Sequence, residues 1–362
     1  MRHIYFTVTN DLSYDQRMDR ICSTLAANGY ACTLVGRKRR SSKELASKTY
    51  NQVRLNCWFD KGKLFYIEYN LRLFFYLIFK RKDFVCAIDL DSFLPCYVSN
   101  LIQRKKLIYD AHEFFSELEE IVTRPLIHKA WLSLEKFAMK RIKHGYTISD
   151  GYASLFRDRY GQQFDVIRNV SVFEPVENVP TSEESFIIYQ GALNVGRGLE
   201  EAVLAMHDVA SVRLRIYGDG PIREDLRKLI EKEGLTEKVE LMGAVPPNEL
   251  KKITPGAKLG LTLFSSTGLH HKYSMANRFF DYFHAGIPQI AMNYPEYSAF
   301  NEAHPIAILI DNLTAKSVAE AINKLLDNNA LMQEMKQACH KAADEVNWQS
   351  ESKKLIHFYN QL

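Results

Sequence analysis

Short apolar runs alternate with longer amphipathic stretches along nearly the whole of this 362-residue chain. The first half reads as strand 3–9, helix 15–28, strand 30–36, an extended piece at 53–56 and an apolar helix 64–80. It continues with strand 84–88, helix 93–103, strand 106–110, helices over 125–144 and a short strand 146–149. The second half repeats the rhythm, with strands at 186–190, 212–217, 238–242, 258–264, 288–292 and 306–310. Helices at 198–210, 222–233, 247–253 and 276–285 alternate with them, and three more follow at 314–327, 330–344 and 348–362. Strands separated by helices pair in parallel, because each crossover returns the chain to the same end of the sheet. A chain of this length exceeds what one core usually holds. The pattern therefore predicts two doubly wound α/β domains, 1–170 and 185–347. Residues 171–184, with Pro175 and Pro180 and no periodicity, read as the linker.

Ligands of such sheets bind beyond the carboxyl ends of the strands. In the first half that edge holds the loop Thr9–Arg17, the Asp89/Asp91 turn and the turn Tyr109-Asp110-Ala111-His112-Glu113. The first loop has no glycine, which speaks against dinucleotide binding there. In the second half the edge holds Tyr189–Leu199, punctuated by Gly191, Gly196 and Gly198. Glycines let backbone N–H groups come close to a phosphate. Arg197 stands at the entrance of the next helix, where its fork can bind two phosphate oxygens. Further on, Asn277–Ala285 reads as a helix ended by Gly286 and Pro288, followed by a buried strand. A helix start gathers unpaired N–H groups and partial positive charge. Asp281, one turn in, can accept hydrogen bonds from a ribose, and the combination is that of a nucleotide-diphosphate site.

Charge separates the two halves. Residues 1–170 hold 28 Lys and Arg against 18 Asp and Glu, a balance of +10, and the remainder 19 against 25, or −6. The basic first half favours an anionic membrane surface, a lipid phosphate or an acidic glycan. The acidic second half argues against nucleic acid as a partner. The apolar stretch 64–79 is interrupted by Glu68, Asn70 and Arg72 and falls short of the ~20 residues that span a bilayer. It reads as a helix of the α/β domain, with a membrane-docking face as the sharper alternative. The six cysteines show no CxxC spacing and read as reduced core residues. With no signal peptide in view, the expected location is the cytoplasm, with peripheral attachment to the inner membrane face as an extension. His270 and His271 are adjacent and have no third ligand nearby, so no metal is expected.

The string Asn277 to Pro288 resembles the donor-site motif of the family-4 (group 1) retaining glycosyltransferases, matching it at Asn277, Phe280, Tyr282, Ala285, Gly286 and Pro288. The loop 189–199, the turn 109–113, Gly218-Asp219-Gly220-Pro221, Met242–Pro246 and the Trp348 helix opening extend the resemblance along the chain. It implies the GT-B fold: two Rossmann-like domains facing across a cleft, with the last helix, 348–362, crossing back to the first. It implies transfer, without a metal, from a nucleotide-diphosphate sugar to a glycan, lipid-linked or small-molecule acceptor. The donor side would comprise Gly191, Asn194, Gly196, Arg197, Val245, Lys272, Asn277, Arg278 and Asp281, with Val245 beside the base. His112 and Arg197 would be catalytic, and Asp11, Tyr14, Arg17 and Glu113 would lie on the acceptor side. Ser149 and Asn169 would mark the hinge. Two departures stand out. Ala192 replaces a usual arginine, leaving Arg278 or Lys272 to supply the second cation. Tyr273 replaces an acid that often holds the donor sugar. A sugar-nucleotide epimerase on the same fold, or a non-catalytic nucleotide-sugar-binding subunit, are the alternatives.

Overall fold

The computed structural model describes residues 1–13, 15–175, 185–210, 212–265 and 269–362; Tyr14 and residues 176–184 of the predicted linker lie outside them. The chain divides into two compact units, Met1–Asn169 together with Glu351–Leu362, and Val170–Ser350.

The first unit opens with β1 (Arg2–Thr7), α1 (Gln16–Ala27), β2 (Tyr30–Lys38), β3 (Asn51–Asn56) and α2 (Gly62–Ile78). It continues through β4 (Phe84–Ile88), α3 (Phe93–Gln103), β5 (Lys106–Ala111), α4 (Glu119–Val122) and α5 (Pro125–Met139). It closes with β6 (His144–Thr147), α6 (Asp150–Tyr160) and β7 (Asp165–Val166). The strands form one parallel sheet in the order β3-β2-β1-β4-β5-β6-β7.

The second unit runs β8 (Phe186–Gln190), α7 (Leu199–Ala205), β9 (Arg213–Tyr217), α8 (Arg223–Lys232), β10 (Val239–Gly243) and α9 (Pro247–Ile253). Then come β11 (Leu259–Thr262), α10 (Leu269–Tyr273), α11 (Asn277–His284), β12 (Gln289–Met292), α12 (Pro295–Ala303) and β13 (Ala307–Ile310). Helices α13 (Ala315–Leu326), α14 (Asn329–Glu345) and α15 (Trp348–Asn360) follow. Its parallel sheet has the order β10-β9-β8-β11-β12-β13. In both sheets the strand order reverses once, between β1 and β4 and between β8 and β11. Such switch points open a crevice at the carboxyl ends of the two diverging strands.

Central strands buried on both faces read as unbroken apolar runs. Every residue of β4 and of β8 is buried accordingly. Asp15 begins α1 as its cap, accepting the Met18 N–H at 3.0 Å. Ser149, expected at a hinge, caps α6 by accepting the Tyr152 N–H. Helices α6, α10 and α12 escape the sequence reading because they are short and carry few periodic apolar positions. The last helix leaves the second unit at its first turn, where the Trp348 N–H donates to the Ser171 carbonyl. It ends in the core of the first, with the Tyr359 ring against Phe6, Tyr30 and Tyr146. No helix among the described residues is long and apolar enough to cross a membrane.

The loops after β8 and β9 lock together. The Leu193 N–H donates to the Asp219 carbonyl, and the Ile222 N–H to the Leu193 carbonyl. Gly218 has φ +152°, and a β-carbon on it would lie 1.8 Å from the Gly191 carbonyl oxygen. Neither the backbone angle nor the contact admits a side chain. Gly218→Ala is expected to lose on the order of 2–3 kcal/mol in equilibrium urea unfolding; an unchanged midpoint would show that the two loops are not in this close contact.

Candidate active site

The loop from Gly191 to Gly198 lies at the carboxyl end of β8, at the switch point of the second sheet. Gly196 and Gly198 have φ +78° and +65°, and the Gly196 carbonyl accepts the Ser265 N–H at 2.9 Å. This bends the loop back towards the end of β11 and sets Arg197 over the Phe264 ring, its guanidinium carbon 5.0 Å from the centroid. Arg278, the second residue of α11, brings its guanidinium to 4.5 Å from the same centroid. Its Nη1 donates to the Tyr189 hydroxyl at 3.1 Å and its Nη2 to the Leu263 carbonyl at 3.3 Å. Its Nε has no partner among the described residues. The Nη1 atom would touch a β-carbon on Gly191 at 3.2 Å. Arg278 thus places a cation beside the loop position where Ala192 omits one. Lys272 is half-buried in α10.

The charge around this ring is one-sided. Among the described residues no carboxylate pairs with Arg197 or Arg278, and burial followed by the Arg278 charge lowers the Arg197 pKa. The His271 ring stacks on Phe264 at 4.6 Å, and His270 lies 5.1 Å from His271. Burial, then Arg197, lowers the His270 pKa to about 4; burial, His270, Arg197 and Arg278 lower that of His271 to about 3. Both imidazoles are therefore neutral at neutral pH. Two cations at the start of an α-helix, with no carboxylate paired to either among the described residues, suit a multivalent anion.

Asp281 lies one turn further along α11. Its Oδ2 accepts from the Gln190 side-chain amide at 3.1 Å and its Oδ1 from the Ser171 hydroxyl at 3.1 Å. The Gln190 amide oxygen in turn accepts from Thr254 Oγ1 at 2.8 Å. Gln190 is the last residue of β8, so this network holds the carboxylate at the carboxyl edge of the sheet. Asn194 and Asn277 are exposed, at the loop and at the first residue of α11. Val245 is half-buried against a small cluster with Phe186, Ile188 and Tyr217.

In the first unit the switch-point edge carries a closed charge network. Arg17 is 5% exposed, and its Nη2 meets Asp110 Oδ1 at 2.9 Å. Its Nε donates to His112 Nε2 at 2.6 Å and its Nη1 to the Ile167 carbonyl at 3.2 Å. Arg17, expected on the acceptor side, has its guanidinium engaged inside the unit, where it orients His112. Burial opposes the Asp110 charge, yet Arg17 and then His112 bring its pKa below the ordinary value. With Arg17 donating to Nε2, the neutral imidazole keeps its proton on Nδ1. A proton on Nε2 would go to Asp110 Oδ2, 2.9 Å away. Asp89, at φ +56°, accepts the backbone N–H groups of His112 and Glu113 on one oxygen, which fixes their turn. Burial and the neighbouring Glu113, Asp91 and Asp110 push the Asp89 pKa well up. Burial raises that of Asp91 to about 6 against the hydrogen bond from Thr9. Asp11 fastens its own loop, accepting from the Ser13 N–H and the Ser42 hydroxyl. Tyr14 lies outside the described residues.

Sequence reasoning missed Phe264, Tyr189, Gln190 and Ser171, which hold the donor-side groups, and Asp89 as the anchor of the histidine turn. Position at a strand's carboxyl end is the signal that marks Phe264, Gln190 and Asp89. Arg17→Met should cost about 3–5 kcal/mol, since it strands the buried Asp110 carboxylate. The sign is testable: Asp110, no longer held down, would protonate at higher pH than in the native protein, so the deficit should shrink on acidification. Denaturant unfolding across pH checks both, and a constant deficit would remove the assigned pairing.

Residues 173–345 match the family model described as glycosyl transferases group 1. An exopolysaccharide phosphotransferase of Streptomyces coelicolor is 29% identical over 150 residues, 41% of this chain but only 15% of that protein's length. Among solved structures, sucrose-phosphate synthase from Thermosynechococcus elongatus superposes with a TM-score of 0.82 at 16% identity, over 100% of this chain and 99% of that one. HepE of Anabaena, in complex with UDP-glucose, gives 0.77 at 12% identity over 100% of both chains. TarM of S. aureus, in complex with UDP and glycan ligands, gives 0.76 at 13% identity over 99% and 100%. The chain therefore has the GT-B fold, and residues 173–345, nearly all of its second unit, form a domain of the group 1 glycosyl transferase family.

Proposed function

We propose that this protein is a glycosyltransferase that moves a sugar, with retention, from a nucleotide-diphosphate sugar to a glycan or lipid-linked acceptor. The observation that carries the reading is the unpaired Arg197–Arg278 couple on Phe264, at the start of the helix that bears Asp281. Breaking the anomeric bond adds negative charge to the departing diphosphate. Preorganised cations and helix N–H groups stabilise that charge without reorganising at the moment of reaction. In this scheme Arg197 and Arg278 take the phosphate oxygens and Asp281 the ribose hydroxyls. Val245 lies beside the base. A site already holding two guanidiniums has no electrostatic need for a divalent metal. His112, oriented by Arg17, is the candidate catalytic side chain of the first unit, and the departing phosphate oxygen can take the acceptor proton. UDP is the favoured nucleotide because HepE and TarM were solved with it. A polysaccharide acceptor agrees with the name of the curated relative. The six free cysteines, five of them buried, agree with a reducing compartment such as the cytoplasm. The family match favours neither the epimerase nor the non-catalytic alternative.

Calorimetry with UDP, GDP and ADP sugars, followed by turnover assays on glycan acceptors, tests this directly. Arg197→Ala and Arg278→Ala should each lower turnover on the order of 10²-fold, and Asp281→Ala should weaken donor binding. A chelator should leave the rate unchanged. Near-native turnover in both arginine variants would overturn the assignment.

A linkage effect follows from the two histidines. Their folded pKa values lie below the unfolded value, so both are neutral at pH 7. A bound diphosphate favours their charged forms and raises those values, so donor affinity should grow as pH falls below about 6 towards 4. A nucleotide sugar itself has no group titrating there, and His271→Phe should flatten the profile. Affinity independent of pH in the native protein would place the anion away from the imidazoles.

A further inference from the structure

We propose that the outer faces of α2 and α3 form a docking surface for an anionic lipid bilayer. Helix α2 buries Phe65, Tyr69, Leu73 and Leu77 against the unit. Its opposite side is also apolar: Leu64, Ile67, Leu71 and Phe75 are exposed at spacings of three and four, and Phe79 just beyond is 82% exposed. Beside it, α3 exposes Leu94, Val98, Leu101 and Ile102, with Leu101 at 62%. A helix apolar on two opposite sides is ordinarily covered on both by protein or lipid. Two adjacent ones with their outer sides exposed form an apolar surface larger than scattered exposed residues explain.

The charge at the helix ends identifies the occupant. Helices α2, α3 and α5 each follow a parallel strand, so all three finish at the amino-terminal edge of the sheet. Helix α5 joins the other two through Trp131 on Tyr66 and Phe137 on Tyr97. Exposed Lys80 and Arg81 follow α2, Arg104 to Lys106 follow α3, and Lys140, Arg141 and Lys143 follow α5. In the three segments 79–83, 103–106 and 140–143 the one acid is Asp83. An apolar face bordered by a basic band matches a headgroup–acyl boundary, whose phosphates meet the cations while the boundary covers the side chains. Since no described helix can span a bilayer, the attachment is to one leaflet. The surface belongs wholly to the first unit and is independent of the donor-site reading.

Vesicle flotation of the full chain tests it, using phosphatidylcholine with and without phosphatidylglycerol. The protein should float with the anionic vesicles at low salt and detach as ionic strength rises. Ile67→Gln/Leu71→Gln/Phe75→Gln and, separately, Lys80→Glu/Arg81→Glu should each cut partitioning on the order of tenfold or more, with unchanged circular dichroism and sedimentation. All these positions are exposed, and the charge pair keeps the test valid if the apolar triple variant misfolds. No flotation of the native protein at low salt, or full flotation of both variants, overturns the proposal. So does an apolar variant that dissociates an oligomer while floating normally, which would assign the face to a second copy.

Discussion

Two guanidinium groups against one phenyl ring, with no carboxylate among the described residues paired to either, set the terms for the second unit. Proteins seldom bury like charges together without a counter-ion, because desolvation and mutual repulsion act in the same direction. Here the cost is borne by the fold. The Phe264 ring face offers each cation a partial electrostatic partner, Tyr189 and the Leu263 carbonyl take Arg278 donors, and both histidines stay neutral. The loop after β8, which carries Arg197, is tied by backbone hydrogen bonds to the loop after β9.

The first unit solves the opposite problem. Its buried arginine is matched, since Arg17 meets Asp110 and His112 together, and the spare donor goes to a carbonyl. Nothing there calls for an outside charge. What the network supplies is orientation: Arg17 and Asp110 hold the His112 ring, while Asp89 clamps the backbone beneath. One unit thus holds unpaired charge and the other a fixed side chain, and both arrangements stand at the switch point of their own sheet.

The architecture was legible in the sequence because buried parallel strands cannot alternate, and runs such as Phe84–Ile88 and Phe186–Gln190 announce themselves. The placement of Arg197 after β8 and of Asp281 in α11 was legible because glycine punctuation and a helix start have local signatures. That Arg278 lies beside the Phe264 ring was not; it depends on Arg278 reaching Tyr189, 89 positions earlier in the chain. The same holds for Arg17, whose partner Asp110 lies 93 positions away. A phenylalanine at a strand end looks like ordinary core until its neighbours are known, so Phe264 carried no signal of its own. Helices α6, α10 and α12 were hidden for a simpler reason: few apolar positions give a weak period.

The final helix has a bearing on how the molecule is born. Tyr359 is fully buried among Phe6, Tyr30 and Tyr146, so the amino-terminal core lacks a central ring until α15 has left the ribosome. Domains generally mature in the order of their synthesis. Here the later-translated unit can complete its core first, and the earlier one must wait, with an unfilled interior, until α15 has emerged.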